Sequence, residues 1–510
     1  MIATPPSSVA TLVNRYLEGP PRSVPDAFRT LTASVWSPRG AVEGATAAVP
    51  LLIEGLRRAE PGRRGRLAIL LGLLAESEYP STDGPLVTAV RSHLDLYLEL
   101  VRAERGTTPT GLALGYLLGH FPADRDAVLK AVEGLELSPE DLSRLHRCLA
   151  ELDLERPDLG RVWPAPSVWS LTEEERAFDR RWIGELDGER IAAAWENDTR
   201  TVFGCVGARA YWAVCHGLPV DAPPATVPDR SLARAAEAGP AILAPHASLL
   251  RCPSCGIAAL EPDEAVLRCG RCRATRPVAG GIADLTSSLE EAGVGDFLER
   301  LSRVPSMGLF YETVARPNFL RVSGSNWGAV VTPDDEDRYL ADHVRPVDGP
   351  VVDLAAGAGR WTAVLADRIG EDRLIAVDSS LPMLSVLRGR LPGVPALLAA
   401  ADDLPFEDGS VGAVVCWNAL QAFYDDAEAA IAEVGRILRP GGSFTLLTFR
   451  RSPDPVYGYF QFAHRFPQHE NGLRLFDPAD LRRWLAAAGL RLCHEAGPGT
   501  FVFMSAVRES

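Results

Sequence analysis

Four cysteines carry the plainest chemistry in this chain. Cys252 and Cys255 form one Cys-x2-Cys pair, Cys269 and Cys272 form another, and thirteen residues separate the two. Each pair turns two thiolates toward one point, so the two pairs together complete a tetrahedral sulfur site suited to Zn²⁺. The intervening AALEPDEAVLRC has the length of a short hairpin. Sulfur fills all four positions, so such an ion is structural: it contributes folding energy and leaves no position for a substrate.

A second set of residues lies further along. VVDLAAGAGRWTAVLADRI (351–369) reads as an apolar strand, a tight turn and an amphipathic helix. Gly357 and Gly359 allow close backbone approach to a ligand, and the following helix N-terminus favours an anionic group. RLIAVDSS (373–380) reads as a second strand ending in Asp378, nineteen residues after Gly359. An acid at that place can accept both hydroxyls of a ribose. LPFEDGSVGAVVCWNAL (404–420) and IAEVGRILRPGGSFTLLTF (431–449) continue the alternation of strands and helices. The pattern predicts a parallel sheet with its ligand at the carboxyl ends of the strands.

These ordered blocks resemble class I S-adenosylmethionine-dependent methyltransferases, in particular the group that contains the ubiquinone/menaquinone-type enzymes. The resemblance implies a Rossmann-like α/β domain with S-adenosyl-L-methionine as cofactor. It places Asp353, Ala355, Gly357 and Gly359 in the first motif, against the methionine part, and Asp378 on the ribose. Ser379, Met383 and Leu404 border the adenine. The acid usually found four residues before Leu404 is Ala400 here, so Asp402 or Asp403 is expected to reach the adenine amine. Trp417 and Asn418 are expected to face the methyl group. Two segments should cover the cofactor. The first is 307–322, with Tyr311 and Arg316. The second is 450–476, with Tyr457, Tyr459, His464 and His469. Tyr311, His464 and His469 are the candidate catalytic residues, the histidines as general base. The cysteine segment has its own likeness. Leu250, Cys252, Pro253, Cys255, Cys269, Cys272, Pro277, Val278, Gly281 and Ile282 resemble the zinc-ribbon activator subunits of tRNA and translation-factor methyltransferases.

Upstream, residues 1–155 carry apolar residues at three- and four-residue spacing, broken by Pro and Gly, which predicts stacked helices. Leu67–Ala68 and Leu112–Ala113 echo one another at an offset of 45 residues. The stretch 35–56 with the helix after it resembles HEAT-like repeat proteins, which present a concave surface to a partner. A plain helical bundle is the competing reading. Residues 156–245 hold scattered aromatics, among them Trp163, Trp169, Trp182, Trp195, Tyr211 and Trp212, and end in the Pro-rich linker 221–230. The expected organisation is multidomain: an all-α helical-repeat region (1–155), a helical extension and linker (156–245), a small β zinc ribbon (247–286) and an α/β methyltransferase domain (287–510).

The chain of 510 residues is 46% hydrophobic and 23% charged, enough to bury several cores. Lys130 is its single lysine, an arginine bias suggestive of a high-GC bacterial genome. The longest apolar runs are too short to cross a bilayer, and the N-terminus lacks the pattern of a signal peptide. Of the nine cysteines the five outside the two Cys-x2-Cys pairs are scattered and do not suggest a disulfide framework, and a cytoplasmic location is expected. The net charge of −15 disfavours a polyanionic partner. The expected function is methyl transfer to a nitrogen or oxygen of a small molecule or peptide natural product. The helical region would then recognise the substrate or a partner protein, or mediate a homodimer. An rRNA or tRNA base methyltransferase is the second reading, prompted by Arg251, Arg268, Arg271, Arg273 and Arg276 on the ribbon. A non-enzymatic cofactor-binding scaffold is the third.

Overall fold

The computed structural model describes residues 8–158, 161–162, 172–217, 239–286, 316–463 and 474–510. These fall into two compact units. One draws on Met1–Pro157, Gly188–Pro224 and Ser452–Gly472; the other on Asp158–Asp187, Ala225–Arg451 and Leu473–Ser510. No helix among the described residues is long and apolar enough to cross a membrane.

The first unit is helical. Its helices are α1 (Val9–Glu18), α2 (Val24–Val35), α3 (Ala45–Arg58), α4 (Pro61–Glu76), α5 (Pro85–Arg91), α6 (Leu94–Ala103), α7 (Pro109–Leu118), α8 (Arg125–Val132) and α9 (Pro139–Cys148). A short hairpin, β1 (Trp36–Ser37) and β2 (Gly40–Ala41), follows α2. After α10 (Glu173–Gly184), which is part of the second unit, the long α11 (Gly188–His216) returns to the first. Helix starts follow local chemistry. Thr108 accepts from Gly111 N at 2.9 Å and Pro109 opens α7, while Ser138 and Pro139 do the same for α9. The two echoing segments, α4 and α7, pack on each other at the centre of the unit, and Leu67–Ala75 of α4 is buried throughout. Gly72 permits this approach, since a Cβ there would lie 2.5 Å from the Tyr116 ring.

The second unit is built on a sheet of eleven strands. The segment around the four cysteines, expected as a ribbon, supplies β3 (Leu260–Asp263), β4 (Val266–Cys269), β5 (Thr275–Ala279) and β6 (Ile282–Asp284). The remaining strands are β7 (Val351–Leu354), β8 (Leu374–Asp378), β9 (Ala396–Leu398), β10 (Val411–Trp417), β11 (Leu438–Phe449), β12 (Leu490–Ala496) and β13 (Phe501–Arg508). The order is β12-β13-β11-β10-β7-β8-β9-β6-β5-β4-β3. Strands β11, β10, β7, β8 and β9 run parallel, and β13 pairs antiparallel with β11. All seven residues of β10 are buried, as a parallel strand covered on both faces requires. Around the sheet lie α12 (Arg316–Ser323), α13 (Pro333–His343), α14 (Arg360–Ile369), α15 (Leu381–Arg390) and α16 (Ala427–Ile437). After β11 the chain enters the helical unit as α17 (Pro455–Phe462) and returns as α18 (Pro478–Ala487).

Two arrangements differ from the linear plan of the sequence. The ribbon continues the main sheet: β6 pairs in parallel with β9, Ile282 opposite Ala396. Part of the segment 450–476, expected over the cofactor, forms α17 within the helical unit, and residues 464–473 lie outside the described residues. The cause is steric and polar fit. Gly207 leaves space for Phe460, whose ring would lie 2.2 Å from a Cβ there, and the Tyr459 hydroxyl donates to Glu76 Oε1 at 2.8 Å.

Candidate functional site

The carboxyl ends of β7 and β8 converge on a cradle of backbone. Ala355, Gly357 and Gly359 all have positive φ, at 56°, 55° and 82°. Such backbone is easiest for glycine, and Ala355 adopts it despite its Cβ. The two glycines do different work. A Cβ on Gly359 would lie 2.8 Å from Leu387, so that glycine lets α14 pack on α15. A Cβ on Gly357 would meet nothing within 4 Å, so its bare face borders open space.

Asp378 ends β8 beside this face. Its Oδ2 accepts from Gly357 N and its Oδ1 from Ser380 N, each at 2.8 Å. Burial raises its pKa, and the N–H groups of Gly357, Ser380 and Ser379 oppose the shift. Each carboxylate oxygen keeps a further lone-pair site for a ligand hydroxyl. Asp353 plays an internal part. Its carboxylate is buried and accepts from Thr362 Oγ1 at 2.6 Å, tying β7 to α14. Burial pushes its pKa up to about 7, Thr362 lowers it and the neighbouring Asp378 adds to the rise.

The other expected cofactor residues surround the cradle in different ways. Met383 packs against Val386 and against Ala358, which lies between the two glycines. Ser379, Asp402 and Asp403 are exposed. Leu404 is buried, and its N–H donates to Glu433 Oε2 at 2.8 Å while its carbonyl accepts from Arg436. Asn418 has φ 58° and takes Gln421 Nε2 on its carbonyl at 2.7 Å; Gln421 in turn accepts from Thr448. Trp417 turns its polar edge inward, its Nε1 donating to Glu336 Oε2 at 2.8 Å. Its indole nitrogen is therefore already engaged, and its ring packs against Tyr339 and Phe503. Tyr311, His464 and His469 lie outside the described residues.

Sequence reasoning missed Glu336. It sits on α13 at 1% exposure and binds both Trp417 and Arg316, whose Nη2 lies 2.7 Å away. The Arg316 guanidinium also stacks on the Trp361 ring at 3.9 Å. The signal for Glu336 was weak, because it stands in the acidic run Asp334–Asp337 at a helix start, where acids are ordinary. Glu433 and Arg436, which lock the Leu404 loop, were missed for the same reason: helix-surface charges carry no mark of their partner.

The donor set fits the expected cofactor. Arg316 Nε and Trp361 Nε1 are buried and have no acceptor among the described residues. Two such donors at the N-terminal end of α14 suit a carboxylate. The bare face of Gly357 and the open lone pairs of Asp378 suit a nucleoside. A short nucleoside-sulfonium with an amino-acid end matches all three.

The four cysteines form a separate centre. Their sulfur atoms all lie within 4.8 Å of one another, with Cys252–Cys272 and Cys255–Cys269 each at 3.7 Å. The first knuckle is fastened to the Leu404 loop. Leu250 and Phe406 form a β-bridge, Arg251 N donates to Pro405 O, and Glu407 N donates to Leu249 O. At the other end of the ribbon the fully buried Arg388 donates to Gly280 O and Val394 O.

Comparison with known proteins agrees with this geometry. Residues 351–442 match the model of a methyltransferase domain. An uncharacterized methyltransferase of Mycobacterium tuberculosis is 45% identical over 97 residues, 19% of this chain and 38% of that protein. A demethylmenaquinone methyltransferase of Renibacterium salmoninarum is 35% identical over 125 residues, 24% of this chain and 50% of that protein. The chain spans less than two thirds of the length of the curated relatives it matches. Among solved structures, a complex of a methyltransferase activator from Haloferax volcanii with a methyltransferase is similar. It has 20% identity and a TM-score of 0.30, over 39% of this chain and 96% of that one. The motif cradle, the parallel sheet and the matched residues together identify a class I S-adenosylmethionine-dependent methyltransferase domain in this chain.

Proposed function

We propose that the protein is an S-adenosylmethionine-dependent methyltransferase acting on a nitrogen or oxygen of a small molecule or peptide-derived natural product. The carrying observation is the cradle in which Asp378 is held by Gly357 N beside an open backbone face. When bound, the cofactor supplies an already activated methyl group. The chain's own task is then to bind and aim. Asp378 orients the ribose, Arg316 and Trp361 hold the carboxylate, and Trp417 and Asn418 wall the methyl end. Tyr311, His464 and His469 remain the candidates for contact with the acceptor and for removal of its proton.

The net charge of −15 supports an acceptor that is not a polynucleotide. The likeness to a demethylmenaquinone methyltransferase, named for a small acceptor, supports the same choice. The four cysteines are read as a zinc ribbon, and four thiolates suit a reducing, cytoplasmic setting. The helical unit is read as a HEAT-like recognition module for a peptide substrate, a partner protein or a second copy.

The test is incubation of the full chain with methyl-labelled S-adenosylmethionine and fractionated extract of its host. Label in small molecules or protease-sensitive peptides is the expected result. Label in RNase-sensitive material would replace this reading with the RNA one, and cofactor binding without any label would favour the scaffold.

A further inference from the structure

The helical unit contains a pocket of about 360 Å³, within the size range of small-molecule sites. Its walls include the rings of Phe28 of α2, Trp36 of β1 and Tyr211 of α11, and Val456 of α17. The polar groups in it are Thr32, Arg66, Cys215 and Asp454, with Arg29 and Ser37 at its edge.

Most of these polar groups are already satisfied within the fold. Asp454 Oδ1 accepts from Val456 N at 2.9 Å and Tyr457 N at 3.2 Å, capping α17, and Oδ2 accepts from the Tyr211 hydroxyl at 2.8 Å. Arg29 pairs with Asp26, and Ser37 donates to Gly40 O. Two groups are different. Thr32 is 3% exposed, and its hydroxyl has no hydrogen-bond partner among the described residues. A buried hydroxyl without a partner costs roughly 1–3 kcal/mol, so its persistence calls for an explanation. Arg66 contacts Gly62 O at 3.3 Å and lies beside the Tyr16 hydroxyl and the Cys215 thiol, but meets no carboxylate among the described residues. Its guanidinium carries five donors, more than those neighbours can use.

We propose that this pocket is a second ligand site, for a planar aromatic molecule bearing one anionic group. The ring would lie among Phe28, Trp36 and Tyr211, the anion would take the free donors of Arg66, and a ligand polar atom would satisfy Thr32. Arg favours carboxylate geometry, and aromatic walls favour a flat ring. Asp454 keeps its negative charge in the same pocket, offset in part by the N-terminus of α17 that it caps, so the anion is expected on Arg66. This site belongs to the helical unit alone and does not depend on the methyl-transfer reading.

The test uses the full chain, with indole-3-carboxylate as probe and indole-3-carboxamide as its neutral counterpart. Binding is followed by saturation-transfer NMR, and occupancy of the pocket by iodoacetamide alkylation of the exposed Cys215 at its rim. The carboxylate should bind saturably, slow Cys215 alkylation, and bind about tenfold tighter than the amide. Arg66→Met should remove that preference. Thr32→Val, which deletes an unpartnered hydroxyl at constant shape, should weaken the carboxylate severalfold while raising the melting temperature of the free protein. Absence of saturable carboxylate binding up to about 10 mM overturns the proposal. So does equal affinity for the amide, binding that leaves Cys215 alkylation unchanged, or a Thr32→Val protein that binds as tightly as the parent.

Discussion

Arg316 and Trp417, a hundred residues apart in sequence, donate to the same oxygen atom, Oε2 of Glu336, at 2.7 and 2.8 Å. One buried carboxylate thus fixes both the Arg316 guanidinium and the Trp417 indole. Removing one partner of a buried ion pair typically costs about 3–5 kcal/mol, because the other charge is left uncompensated. Glu336→Ala should therefore lower the melting temperature of the cofactor unit sharply. Glu336→Gln keeps the shape and an acceptor for Trp417 but loses the charge-assisted bond that positions the Arg316 guanidinium. Its affinity for S-adenosylhomocysteine should fall by about tenfold or more, measured by titration calorimetry. Unchanged affinity in Glu336→Gln would remove Glu336 from the binding machinery.

Asp353 makes stability depend on pH in a stated direction. Its folded pKa is about 7, raised chiefly by burial, against an ordinary carboxylate value near 4. Below about pH 4 the group is neutral in both states. Between about 4 and 7 the unfolded chain loses the proton and the folded chain keeps it, so unfolding releases a proton and stability falls as pH rises. Above about 7 the dependence levels off. Asp353→Asn lacks this slope, so melts of the two proteins should converge or cross as pH rises from 5 to 8. A constant difference across that range would contradict a protonated Asp353.

Zinc should matter to the cofactor site although it takes no part in the chemistry. Cys252 lies two residues beyond Leu250, which is bridged to Phe406 of the loop that carries Leu404. Loss of the ion releases the knuckle that anchors this bridge. Chelation should lower the melting temperature and weaken S-adenosylhomocysteine binding severalfold, with recovery on adding zinc back. A chelated protein with unchanged affinity would uncouple the ribbon from the cradle.

Two glycines should separate stability from binding. At Gly207 a Cβ would lie 2.2 Å from the Phe460 ring, and overpacking of this kind costs about 1–3 kcal/mol. Gly207→Ala should lower the melting temperature of the helical unit and leave cofactor affinity unchanged. At Gly357 the Cβ meets no protein atom but enters the open cradle at φ 55°. Gly357→Ala should lose most cofactor affinity, with a melting loss no larger than the roughly 1–2 kcal/mol of holding alanine at positive φ.

The cofactor domain was readable in the sequence because its chemistry is local. Each motif follows its own strand, so the positive-φ turn at Gly357 and Gly359 and the place of Asp378 at the end of β8 could be anticipated without knowing what packs against them. The cysteine quartet was readable for the same reason. Relationships across the chain were not. Glu336 looked like one of four successive acids on a solvated helix start, and only folding brings Arg316 and Trp417 to it. That the segment after β11 would form α17 within the helical unit was not legible either. Its destination is set by Gly204 and Gly207, which admit Phe460, and by Glu76, which receives Tyr459. Small residues three apart on a long helix were the one available hint. The pairing of β6 with β9 was hidden by the shortness of both strands.

The central claim is that Asp378 and the Gly357 backbone hold a nucleoside cofactor. The direct measurement is calorimetric titration of S-adenosylhomocysteine into the parent protein and Asp378→Asn, with melts confirming that both are folded. The parent should bind with a single site per chain, and Asp378→Asn should bind at least about tenfold more weakly, having lost charge-assisted acceptors for the ribose. A folded parent that does not bind, or an Asp378→Asn protein with parental affinity, would contradict the account.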